Sequence, residues 1–354
     1  MIRLKPSMIA GLDESAPDLQ KKVCESLQSA IELEHATIPP YLYALYSLDP
    51  DKNGAIADII QSVVVEEMLH MTLSSNILNA LDGAPDIDRP DFIPAYPGHL
   101  PGGVQGGLEV HLAPFSIGPA PAPDQLQTFL DIETPELPLN FKEFAAIEAV
   151  TIGEFYLAIS KAIGALGDGA FVDPPRNQIG PDLMPDAIVV TNVATAQAAI
   201  RTIVDQGEGT RKSPLEVVGT GYAHYYRFME IRKGHLLVAT PDGGPKPEDK
   251  YAYTGDPVPF DPTGVYAVPT DPGGYPAGSP QAFANDNFNY AYTSLLRALH
   301  ALFNGDGSEA QFNRALGLMM SLKSQAKAMM SGIPNPALLT GPSFQYQPVN
   351  PGNS

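Results

Sequence analysis

The sequence predicts a mainly α-helical protein: a four-helix bundle with a long crossover insertion and additional C-terminal helices. Three observations predict it. Apolar residues recur at helical spacing over about Leu19–Leu48, Ala55–Leu81, Asn140–Leu166 and Pro214–Lys233. Only a short breaker, Asp49-Pro50 with Asn53-Gly54, separates the first two stretches, so they form antiparallel neighbours. Residues 84–139, rich in Pro and Gly, then intervene before the third stretch, as a crossover between two helix pairs requires.

Taken in order, the first helix carries Pro39-Pro40 in its interior, and proline there removes a backbone donor and crowds an upstream carbonyl, so a kink is expected. Asp82-Gly83 stops the second helix. Within the crossover, Leu108-Glu109-Val110-His111-Leu112 alternates and reads as a short strand. A further helix covers Ala194 to Asp205, and Pro214 suits the first turn of the fourth bundle helix. Residues from Thr240 to Gly278 read as an irregular arm whose tyrosines and prolines lie on a surface. Helices over Gln281–Phe303 and Ser308–Met330 follow, and the tail is Pro- and Gly-rich coil. The chain therefore divides at about residue 235: residues 1–235 are the bundle with its insertion, and 236–354 are an arm plus a helical extension packed on it.

With 354 residues, the chain exceeds a minimal bundle. A net charge of −19 disfavours phosphate backbones and anionic lipid, so nucleic acid and membrane are excluded as partners. Cys24 is the only cysteine, which precludes an intrachain disulfide and fits a reducing cytoplasm. The N-terminal residues lack a sustained apolar core, so no signal peptide is read, and no apolar run is long enough to span a bilayer.

The chemistry lies in polar residues on apolar helix faces. Glu34 shares its face with Leu27, Ile31, Ile38, Tyr41 and Leu45, whereas Glu32 points to the opposite, solvated side. Glu67 shares its face with Ile60, Val63, Val64, His70, Met71 and Leu78, and Glu67-Met68-Leu69-His70 is a Glu-x-x-His pair that aims a carboxylate and an imidazole at one point. Glu154 lies with Ile147, Val150, Thr151, Leu157 and Ala158; His224 lies with Val217, Thr220, Phe228 and Ile231. Buried carboxylates in a group repel unless a cation joins them, so Glu34, Glu67, His70, Glu154 and His224 are predicted metal ligands. The competing reading is a set of core polar groups hydrogen-bonded by Tyr41, Tyr156, Tyr222 and Tyr226. His35 follows Glu34 and is read as a helix contact; His99, His111, His235 and His300 are read as surface or cap residues.

The segments IELEHATIPPYLYALYSL, VVVEEMLHMTLSSNILNAL, TIGEFYLAI and AHYYRFMEI, with FNYAYTSLLRALHALFNG and GPSFQY toward the C-terminus, resemble the ferritin-like domain family of bacterial iminophenyl-pyruvate dimer synthases, the violacein- and rebeccamycin-pathway type. The resemblance implies a ferritin-like bundle, a metal-dependent oxidoreductase setting in secondary metabolism, and an amino-acid-derived imine or keto acid as substrate. Tyr41 matches the tyrosine that such proteins place beside the metal. One departure stands out: a full four-helix di-iron set carries a second Glu-x-x-His, but Gly221 occupies the glutamate position before His224.

Hard carboxylates with imidazoles suit iron, one or two ions, or manganese. The favoured function is a metal-dependent oxidase or oxygenase that uses dioxygen or peroxide on a small organic substrate, with Tyr41 as its catalytic neighbour. The gap at Gly221 would leave a coordination position open. A non-catalytic scaffold with a structural metal is the alternative, iron storage is a third reading, and homo-oligomerisation stays open.

Overall fold

In the computed structural model, which describes residues 4–103, 108–118, 124–135, 150–208, 221–240, 243–244, 247–333 and 335–347, the first pair of helices is α1 (Leu19–Tyr46) and α2 (Pro50–Ala80). They pack along their lengths because each buries one apolar stripe against the other. Asp49 caps α2 by accepting from the Asp51 N–H at 3.1 Å, with Pro50 in the first turn. The breaker at Asn53 is absorbed inside α2 as one residue with non-helical angles (φ −124°, ψ 32°). Its buried side chain bonds the backbone of Asp261 and Gly264, tying the later arm to the kink.

α1 runs unbroken through Pro39 and Pro40. Pro40 cannot donate to the Ala36 carbonyl four residues earlier, and the Tyr96 hydroxyl from the crossover donates to that oxygen at 2.7 Å instead. Glu32 is also not simply solvated, for it is ion-paired with Arg89.

The second helix pair differs from the one expected. α4 (Ile152–Leu166) packs on α1, and α5 (Val193–Glu208) packs on α2 and α4, so α1, α2, α4 and α5 close the bundle. The expected fourth helix is only its last part, α6 (His224–Lys233), which packs beside α3 (Gln125–Glu133) and against α2 and α5. Residues 140–149 and 214–220, expected to begin the third and fourth helices, lie outside the described residues. α3 is itself a correction: the crossover contains a helix, capped by Asp124 accepting from the Gln127 N–H at 3.0 Å. The alternating segment at 108–112 is not a strand, and Val110 makes only an isolated bridge with Gly98.

Gly234 ends α6 in the left-handed region (φ 72°), and the chain turns into β1 (His235–Ala239). β1 pairs antiparallel with β2 (Tyr251–Pro257), so the arm expected to be irregular contains a strand. α7 (Pro280–Phe303) and α8 (Glu309–Ser331) pack together, α7 touching α2 and α8 touching α1. The tail beyond them is irregular but fastened. Asn285, Asn289 and Thr293, one turn apart on α7, accept from the backbone N–H groups of Ser343, Gln345 and Gln347 at 2.8, 3.0 and 2.7 Å. A Cβ at Gly341 would lie 1.9 Å from the Tyr43 hydroxyl, so only glycine lets this strap approach α1. One hydrophobic core cluster runs from Leu4 to Phe344. No helix among the described residues is long and apolar enough to cross a membrane.

Candidate metal centre

Four polar residues on the apolar faces of α1, α2, α3 and α6 meet inside this core, with His70 from α2 beside them. Two groups of donor atoms form, Glu34 with Glu67 and His70, and Glu67 with Glu133 and His224; within each group the atoms lie within 4.8 Å of one another. Glu67 belongs to both. Glu34, Glu67, His70 and His224 are all less than a tenth exposed, and Glu133 is half-buried.

The imidazoles are oriented from behind. His70 Nε2 lies 2.9 Å from Gln206 Oε1 of α5, an acceptor, so this nitrogen carries a proton, and Nδ1 faces Glu34 Oε2 at 3.5 Å. His224 Nε2 lies 3.0 Å from Glu66 Oε2, again an acceptor. Its Nδ1 lies 3.0 Å from Glu67 Oε1 and 3.5 Å from Glu133 Oε2 but makes a directed hydrogen bond to neither. A lone pair facing two carboxylates is repulsive unless a cation or a proton sits between them. Arg227, one turn after His224 on α6, grips both oxygens of Glu66 at 2.8 and 2.9 Å. Two tyrosines fix the outer carboxylates: the Tyr156 hydroxyl donates to Glu34 and the Tyr41 hydroxyl to Glu133.

The electrostatics show the same frustration. Burial pushes the Glu67 carboxyl up to about 8, reinforced by the charge of Glu133. Burial opposes charge on His224, yet Glu133, Glu66 and Glu67 override it and hold the imidazole well above its ordinary value. Burial also works against the Glu34 anion, but the His70 contact keeps that carboxyl below the usual range. Burial and the adjoining carboxylates push the Tyr41 and Tyr156 phenols well up, so both remain donors. Without a cation, protons hold these groups together. A carboxylate- and imidazole-rich donor set of this kind fits hard or borderline divalent cations.

The structure brings together four of the five predicted ligands and places Tyr41 against the fifth member of the cluster, which is not Glu154. The helix carrying Glu154 begins at Ile152, not near residue 140, so Glu154 occupies its third position and completes a capping box: Glu154 N–H donates to Thr151 Oγ1, and Thr151 N–H to a Glu154 carboxylate oxygen, both at 3.0 Å. Its side chain is exposed. Glu133 takes the place expected of it. The signal was present, because Leu126, Phe129, Leu130 and Glu133 share a face at helical spacing, and Thr151-Ile-Gly-Glu154 is a capping-box pattern. Gly221 lies three residues before His224, the first residue of α6, and so off the helix, where it shares no helical face with that histidine. Glu66 and Gln206 were not singled out by the sequence. Their roles depend on which residue of a different helix faces them.

A cavity of about 50 Å³ opens onto Glu34, Glu67, His70 and Glu133, walled by aliphatic residues such as Leu33, Ile132 and Ile203. That is room for a few water molecules at about 10–15 Å³ each.

A family model described as ferritin-like matches residues 27–233. The chain belongs to the ferritin-like family. Among solved structures, it is similar to a ferritin-like protein from Caulobacter vibrioides, at 26% identity and a TM-score of 0.60, with 92% of this chain and 97% of that chain covered. No curated protein matches the sequence. The matched span contains every residue of both donor groups, with α2, α4 and α5 whole and α1 from residue 27 onward.

Proposed function

We propose that this ferritin-like protein is a non-haem iron oxidase or oxygenase that holds two cations, one by Glu34, Glu67 and His70 and the other by Glu67, Glu133 and His224. The observation that carries this reading is the shared Glu67 between two donor groups, together with the buried, undirected Nδ1 of His224. Iron in such a donor set would supply one-electron redox chemistry toward dioxygen or peroxide. The surrounding residues have defined tasks. Gln206 and Glu66 keep each imidazole in the tautomer that offers Nδ1. Tyr156 and Tyr41 hold one oxygen of Glu34 and of Glu133, leaving the other free to bind. The aliphatic wall limits water, and the cavity matches a diatomic oxidant rather than a bulky substrate.

The substrate is then a small organic molecule that approaches the cavity mouth. The sequence likeness to iminophenyl-pyruvate dimer synthases supports an amino-acid-derived imine or keto acid. Manganese is the competing metal for the same donors. The test is anaerobic loading of metal-free protein with ferrous iron, followed by elemental analysis and oxygen uptake. Two irons per chain and oxygen consumption accelerated by phenylpyruvate-type imines are expected. Two bound irons with no oxygen uptake under any substrate would favour a structural metal instead, and no bound iron would end the iron reading.

A further inference from the structure

The two donor groups are nearly matched on their carboxylate side and mismatched behind their histidines. Each outer carboxylate receives one tyrosine hydroxyl, Tyr156 on Glu34 and Tyr41 on Glu133, and Glu67 is common to both. The imidazoles are backed differently. Behind His70 stands a neutral amide, Gln206, at 2.9 Å; behind His224 stands a carboxylate, Glu66, at 3.0 Å. An anion accepting from the far N–H of an imidazole pushes electron density onto the ligating nitrogen more than a neutral acceptor does.

The backing of His224 is also rigid. Glu66 and Glu67 are successive residues of α2, about 100° apart around the helix. They bracket His224, with Glu67 against Nδ1 and Glu66 against Nε2. Arg227 fixes both Glu66 oxygens, so the carboxylate cannot swing away from the ring. Arg227 takes part of the anion's charge, but Glu66 remains the only formally charged group bonded to an outer histidine nitrogen of the centre among the described residues.

We propose that Glu66 is a positioning residue that makes the two cation places unequal, so that the place of Glu67, Glu133 and His224 fills first and holds a divalent cation more tightly than that of Glu34, Glu67 and His70. This rests on the two-cation reading above. A protein built this way loads in sequence and can hold one cation firmly while the other exchanges.

The test is titration of the metal-free full-length chain with Co(II), followed by visible absorbance and calorimetry. Wild type should take up two equivalents in two steps at least about tenfold apart. The tight step should survive in His70→Ala and vanish in His224→Ala. Glu66→Gln should weaken the tight step by about 10- to 100-fold and leave the weak step nearly unchanged. Gln206→Glu, a gain rather than a loss, should strengthen the weak step by about tenfold, and it keeps the proposal testable if Glu66→Gln fails to fold. Equal steps in wild type, a tight step lost in His70→Ala but kept in His224→Ala, or a Glu66→Gln effect spread equally over both steps would each overturn the proposal. A wild-type chain that binds no Co(II) would instead overturn the two-cation reading, and the proposal with it.

Discussion

Replacing Glu133 by glutamine separates the observed cluster from the one the sequence pattern favoured. In the metal-free protein the change removes two opposing terms. Glu133 and Glu67 have donor atoms within 4.8 Å of each other, which at an effective dielectric near 20 amounts to a repulsion of about 3.5 kcal/mol when both are charged. Glu133 also lies 3.5 Å from His224 Nδ1, an attraction of about 5 kcal/mol on the same scale while the imidazole is charged. Above about pH 8, where Glu67 gives up its proton, the terms nearly cancel, and glutamine can still accept the Tyr41 hydrogen bond, so there the metal-free thermal midpoint should fall by only a few degrees. The metal-loaded protein should respond far more. Losing one of three ligands weakens that place by at least about 100-fold, and a 100-fold loss of affinity removes about 2.7 kcal/mol of linked stabilisation. The assay is metal stoichiometry by elemental analysis beside thermal melts with and without Mn(II). Glu133→Gln should retain one cation per chain, while Glu154→Ala should retain two and lose about 1 kcal/mol or less from its helix cap. Two cations in Glu133→Gln, or one in Glu154→Ala, would refute the assignment.

Three further outcomes follow from named groups. Cation affinity should rise as pH increases from about 6 to 8, because the proton that burial and Glu133 keep on Glu67 up to about 8 must leave when a cation enters; calorimetry in buffers of different ionisation enthalpy should show proton release, and pH-independent binding would contradict it. Cys24, whose thiol burial pushes up to about 11, should react with a disulfide reagent at pH 8 far more slowly than a free thiol, and the rate should climb with pH through the range where ordinary cysteines level off. Tyr96→Phe strips the Ala36 carbonyl opposite Pro40 of its donor and should destabilise the protein by about 1–3 kcal/mol in denaturant titrations without changing the metal count.

The helical periods of α1 and α2 were legible because each helix carries its own apolar stripe, and a carboxylate inside such a stripe is anomalous wherever the helix later packs. That local logic reached Glu34, Glu67, His70 and His224. It also held the means to find Glu133, which follows Leu126, Phe129 and Leu130 at helical spacing, but a nine-residue helix inside a Pro-rich crossover is a weak periodic signal. Glu154 misled because its face depends on where the helix starts; once Thr151 is the cap, the same residue serves the first turn.

By itself, the sequence determined that several helices bury acidic and imidazole groups, because amphipathic spacing is a property of each segment alone. Only the tertiary structure decided that α5 rather than α6 completes the bundle, that α3 supplies the third carboxylate, and that Glu66 and Gln206 stand behind the two histidines. Those outcomes depend on the relative rotation and depth of helices far apart in the chain, set by how their surfaces interlock, and no single segment encodes them.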